Sequence, residues 1–163
     1  MFRLFGALVL CLLPAAALAE MTVTLGAPWD GKRVPKGQQC PKFGGAGATP
    51  PMTVTGLPAG TAMVVLSFND KNYPPLSRNG GHGQIGFPVK GSSADLPAVP
   101  GMTKRLPGGA RVLAPAKSSG AYASPGYLPP CSGGRGNRYV VDVIAVDAAG
   151  KPLEKQTVDI GRY

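Results

Sequence analysis

The sequence predicts an all-β fold, two antiparallel sheets packed as a sandwich with long loops and few short helices. Three observations carry that reading. Several segments alternate polar and apolar residues or form short apolar runs. No segment sustains helical periodicity. The 24 glycines and 18 prolines of the 163 residues punctuate the runs with turns. Glycine and proline at this level can mark disorder, but an apolar content of 44% argues for a folded core that carries long loops.

Residues 1–19 read as a secretory signal peptide and 20–163 as one domain. Arg3 supplies the positive start, Leu4 to Leu13 the apolar stretch, and Ala17-Leu18-Ala19 a small-x-small cleavage site before Glu20. The apolar stretch is too short for a spanning helix, which needs about 20 residues. Leu10 before Cys11 is too large for a lipoprotein site. The expected location is therefore periplasmic or secreted, with no transmembrane anchor after cleavage.

Met21 to Leu25 alternates as a half-buried strand, and 26–51 reads as a loop dense in Gly, Pro and Lys. Met52 to Leu57 is a short strand ended by the turn Leu57-Pro58-Ala59-Gly60. Ala62 to Phe68 is a strongly apolar, buried strand. A loop over 69–83 leads to a weaker strand, Gln84 to Val89. Residues 90–137 read as mostly irregular, and a loop of that length is usually functional or mobile. Arg138 to Asp147 is the strongest strand of the chain. A hairpin-like turn at 148–151 leads to Gln156 to Ile160, which closes the sheet.

The mature chain keeps 16 basic and 8 acidic residues, a net charge of +8. The basic residues are spread singly apart from Lys32-Arg33 and Lys104-Arg105, with no aromatic-interleaved or zinc-finger spacing. Nucleic acid is therefore not the expected partner; anionic surfaces such as lipid headgroups fit better. Cleavage leaves two cysteines, Cys40 and Cys131. An even count in an oxidising compartment favours a disulfide over two buried free thiols.

Catalytic constellations are scarce. His82 is the one histidine, which excludes a multi-histidine metal site. No nucleophile elbow, zinc-protease motif, P-loop or dinucleotide fingerprint occurs. The two glutamates, Glu20 and Glu154, lie near the termini and make a poor glycosidase pair. Asp70 and His82 could form an acid–base pair, but no activated nucleophile accompanies them. The chain is expected not to be an enzyme and to carry no cofactor or metal. What remains is polar residues at strand ends. Asp70 shares a face with Phe68, Asn137 shares one with Tyr139, and His82 sits in a Gly-Gly-His-Gly run whose small neighbours leave the ring accessible.

The order of these segments resembles the phosphatidylethanolamine-binding protein family, in particular its bacterial Raf-kinase-inhibitor-like branch. The resemblance is carried by Val34-Pro35-Lys36 followed by Cys40, by Thr49-Pro50-Pro51-Met52, by Leu57 to Thr61, and by Phe68-Asn69-Asp70-Lys71-Asn72-Tyr73-Pro74. His82, the run Gly126 to Cys131, and Asn137-Arg138-Tyr139 complete it. It implies a sandwich of that family's type and a small pocket for phosphate or a phosphate-bearing headgroup. Asp70, His82 and Tyr139 match pocket positions, with Asp70 orienting His82 or a cationic headgroup. It also suggests a cis proline at Tyr73-Pro74 or Pro74-Pro75.

Asn137 stands where the family has a second pocket histidine, Asn72 where it has a second Asp, Lys71 where it has a Pro, and Val54 where a Trp is common. An asparagine donates hydrogen bonds but cannot become cationic, so ligand preference is expected to differ. The expected ligand-binding set is Asp70, His82, Asn137 and Tyr139, in an exported protein that binds a small anion such as phosphate or a phospholipid headgroup. The alternative is an inhibitor or interaction module acting on a protease or another surface protein.

Overall fold

The computed structural model describes residues 20–163; the predicted signal peptide and Cys11 lie outside the described residues. Eight strands form two antiparallel sheets. β1 (Thr22–Leu25), β2 (Met52–Thr55) and β5 (Ser93–Leu96) make a three-stranded sheet in the order β1-β2-β5. β3 (Met63–Asp70), β4 (Gln84–Pro88), β6 (Arg111–Ala114), β7 (Arg138–Val146) and β8 (Pro152–Arg162) make a five-stranded sheet in the order β6-β4-β3-β7-β8. Among the described residues the helical structure is three single turns of 3-10 helix, Pro41–Phe43, Pro74–Leu76 and Gly120–Tyr122.

The core lies between the sheets. Val64, Leu66 and Phe68 of β3 and Val141, Val143 and Ala145 of β7 point inward at period two and meet Val54 and Leu96 of the smaller sheet. Each such side chain contributes roughly 1.5–3 kcal/mol through burial. The same period carries Asp70 and Tyr139 onto this inner face. They are paired opposite each other at the end of the β3–β7 ladder.

The predicted strands all occur, with shifted ends. Residues 90–137 are mostly irregular, as expected, and the stretch also contributes the short strands β5 and β6, which its own pattern does not show. Ser93-Ala94-Asp95-Leu96 buries one residue fully, so its strand character comes from its partner β2 rather than from its own pattern. β8 runs further than the predicted 156–160 because an edge strand tolerates exposed polar residues, and Pro152 at its first position interrupts no ladder bond. The cis proline expected at Tyr73-Pro74 or Pro74-Pro75 is also corrected. The cis peptide among the described residues is Ala27-Pro28. Tyr73 is extended and caps the 3-10 turn that Pro74 opens, a position for which proline's fixed φ suits it.

Candidate functional site

Cys40 and Cys131 form a disulfide, with a Cα–Cα separation of 5.2 Å. It ties the early loop to the segment before β7. This is one wall of a cavity of about 400 Å³ at the end of the five-stranded sheet. Asp70, His82, Asn137 and Tyr139 all line it. They arrive from the C-terminal end of β3, the turn before β4, and the start of β7, which the antiparallel register brings to the same end of the sheet.

His82 is held by its backbone and its ring. Its N–H donates to the Phe68 carbonyl at 2.9 Å, and its own carbonyl accepts from the Leu128 N–H at 2.8 Å. Nδ1 lies 2.8 Å from the Leu128 carbonyl oxygen. A carbonyl only accepts, so Nδ1 carries the hydrogen. Nε2 is buried and has no hydrogen-bond partner among the described residues. His82 is 2% exposed, far less open than the flanking glycines suggested, and meets the outside through the cavity it lines. Those glycines serve close backbone approach instead. A Cβ on Gly81 would fall 2.2 Å from the Leu76 carbonyl oxygen, and one on Gly83 would fall 2.6 Å from that of Gly126. Burial lowers the His82 pKa, against smaller upward pulls from the Leu128 carbonyl and the Asp70 charge.

Asp70 does not hold His82, contrary to the expectation from the sequence. Its Oδ1 accepts the Asn72 N–H at 2.9 Å and its Oδ2 accepts Asn137 Nδ2 at 2.7 Å. Asn137 is thus a neutral donor to the buried carboxylate. Asn72, where the resemblance expected an Asp, also accepts the Arg138 N–H through its side chain, at 2.7 Å, which fastens the loop to β7.

Tyr139 meets the His82 ring edge to face, with centroids 5.3 Å apart. Its phenol oxygen accepts the Cys131 N–H at 3.1 Å. Burial, with a smaller push from the Asp70 charge, raises its pKa to about 12. The phenol therefore stays protonated, and its O–H is a donor.

Sequence reasoning missed the rim. Lys117 and Arg135, both exposed, and Ser119 border the cavity. The Lys117 N–H donates to the Gly81 carbonyl at 2.9 Å, which straps its segment over His82. Tyr73 and Tyr122 flank the mouth, and Lys42 Nζ lies 4.7 Å from the centre of the Tyr122 ring. The signal available was the long segment 90–137, read as functional from its length but not residue by residue. Chemically, the cavity presents a phenolic donor, two rim cations and hydroxyls, with a bare imidazole nitrogen and a satisfied carboxylate inside.

No family model matches the chain, and no curated protein does. Solved structures do. A protein from Chlamydia trachomatis described as a candidate phosphatidylethanolamine-binding protein homologue is 22% identical, with a TM-score of 0.54 over 88% of this chain and 97% of that one. The Escherichia coli protein YbcL, described as a new member of the mammalian phosphatidylethanolamine-binding protein family, is 20% identical, with a TM-score of 0.57 over 89% and 98%. At this identity the likeness is one of fold, and it extends over nearly the whole length of both proteins.

Proposed function

We propose that this chain, which has the fold of the phosphatidylethanolamine-binding protein homologues, is an exported binding module for a small phosphate-bearing ligand and not an enzyme. The observation that carries this reading is the meeting of Asp70, His82, Asn137 and Tyr139 in one cavity with Lys117 and Arg135 at its rim. Cations and a protonated phenol suit an oxyanion. The single histidine is committed through Nδ1 to a main-chain carbonyl, and among the described residues no hydroxyl or thiol stands hydrogen-bonded to it as a nucleophile would. The Cys40–Cys131 disulfide supports an oxidising compartment.

Calorimetric titration with inorganic phosphate and with phosphoethanolamine tests the reading. Saturable binding of either is the expected result. Absence of heat from both at millimolar concentration sinks it. Lys117→Ala and Arg135→Ala should each weaken binding. Their exposure limits each cation to about 1 kcal/mol, roughly fivefold in affinity.

A second reading, docking of an acidic protein surface, draws on a separate open groove of about 640 Å³ that Lys104, Arg105 and Arg111 border. Loss of partner capture in a Lys104→Glu/Arg111→Glu variant that still binds phosphate would separate the two.

A further inference from the structure

We infer that the cavity selects an oxyanion that brings its own proton, a singly protonated phosphate whose P–OH donates to His82 Nε2, over one that has none to give, such as sulfate. The inference rests on the phosphate reading above and specifies the ligand's protonation state.

The argument begins with a buried acceptor. Nδ1 must hold its hydrogen to meet the Leu128 carbonyl, so Nε2 of the neutral ring is a lone pair. It is buried and unpartnered among the described residues. Buried polar atoms are nearly always satisfied, and an acceptor lining a cavity is satisfied by a donor that enters it.

The groups around the ring do not supply that donor. Both Asp70 oxygens, from β3, already accept N–H groups. Tyr139, from β7, stands nearly perpendicular to the imidazole with ring centroids 5.3 Å apart, and its hydroxyl meets the Cys131 N–H rather than Nε2. Lys117 and Arg135 stand at the exposed rim. Those cations and the Tyr139 O–H suit the ligand's unprotonated oxygens. A fully deprotonated anion would set one of its oxygens against the Nε2 lone pair, with the Asp70 charge close by. A P–OH turns that repulsion into a hydrogen bond. Burial, which disfavours the charged ring, favours this arrangement over one in which the imidazole supplies the proton.

The chain's single histidine makes a direct test possible. Protein labelled with ¹⁵N-histidine gives two ring-nitrogen signals, both from His82. In the free protein at pH 7, one should be a protonated nitrogen and the other a bare one. Methyl phosphate, sulfate and ethanolamine are then titrated separately, at about pH 5.5 and about pH 8, with affinities measured in parallel by calorimetry.

The expected result has three parts. Methyl phosphate shifts the bare-nitrogen signal without converting it to a protonated one. It binds more than about tenfold tighter at the lower pH, since a phosphate monoester loses its last proton near pH 6. Sulfate binds at least about tenfold more weakly than methyl phosphate at the lower pH.

A ring that becomes doubly protonated on binding methyl phosphate overturns the inference. So does sulfate binding of equal strength, or ethanolamine alone moving the bare-nitrogen signal as methyl phosphate does. In each case where methyl phosphate still binds, the phosphate reading stands. If neither anion binds at either pH, the phosphate reading falls and this inference falls with it.

Discussion

At the residue scale, the pair Asp70–Asn137 decides how the site differs from the pattern it resembles. A buried carboxylate needs donors, and Asn137 Nδ2 is one of the two it meets among the described residues. Asn137→Ala should cost about 1–2 kcal/mol, at the lower end for a lost partner because cavity water can reach the vacated position. For a domain of this size that is a fall of roughly 2–8 °C in Tm, read by thermal denaturation. An unchanged Tm would show that Asn137 does not support Asp70. His82 has a consequence with a definite sign. Its folded pKa is lowered, so the unfolded chain takes up a proton first as pH falls. Stability is fully present above the unfolded value near 6.5 and is lost as pH falls from there towards the lowered folded value. The loss is at most about 1.4 kcal/mol per pH unit from one proton. Urea unfolding of the wild type between pH 7.5 and 5.5 should show this slope, and His82→Gln should flatten it. The sequence revealed that Asp70, His82, Asn137 and Tyr139 belong together through motif order. It did not reveal that Leu128 holds the imidazole, because a main-chain carbonyl carries no side-chain signature.

At the element scale, the strands that were legible are those whose own pattern suffices. Val64 to Phe68 and Val140 to Val146 carry enough apolar β-branched surface to read as buried strands alone. β5 and β6 were illegible for the opposite reason, each being four residues long and dependent on pairing with β2 or β4. The turn before β4 is a third kind of element, fixed by close packing. Gly81 has no room for a side chain, since three Leu76 backbone atoms would lie within 2.4 Å of an added Cβ. Gly81→Ala must displace backbone and should destabilise by about 1–3 kcal/mol, the usual cost of overpacking. It should also weaken phosphate binding, because the same turn carries His82. Gly91→Ala is the control. Gly91 has φ +86° and nothing within 4 Å of an added Cβ. Its cost should be the left-handed backbone penalty of about 1–2 kcal/mol, with no effect on binding. If both variants reduce binding equally, the loss reflects general instability rather than the turn.

For the whole molecule, the disulfide joins stability to site geometry. Cys40 and Cys131 are 91 residues apart in sequence, so cross-linking them restricts the unfolded chain strongly. On the chain-entropy model a loop of this length stabilises by roughly 4–5 kcal/mol, an upper figure. The bond also sits in the cavity wall: the Cys40 N–H donates to the Pro130 carbonyl at 3.0 Å, and the Cys131 N–H to the Tyr139 hydroxyl at 3.1 Å. Its loss should therefore act twice. Cys40→Ala/Cys131→Ala should lower the urea midpoint by an amount worth up to that figure. Under conditions where the variant is still folded, phosphate binding should weaken more than in Gly91→Ala, because the segment bearing Arg135 and the partner of Tyr139 is no longer tethered. Chemical reduction of the wild type should reproduce both effects, and reoxidation should reverse them. Should the variant bind phosphate like the wild type at matched folded fraction, the disulfide serves the fold alone. The walls around Tyr139 would then hold their shape through the hydrogen bonds from Leu128 and Lys117 to the His82 turn.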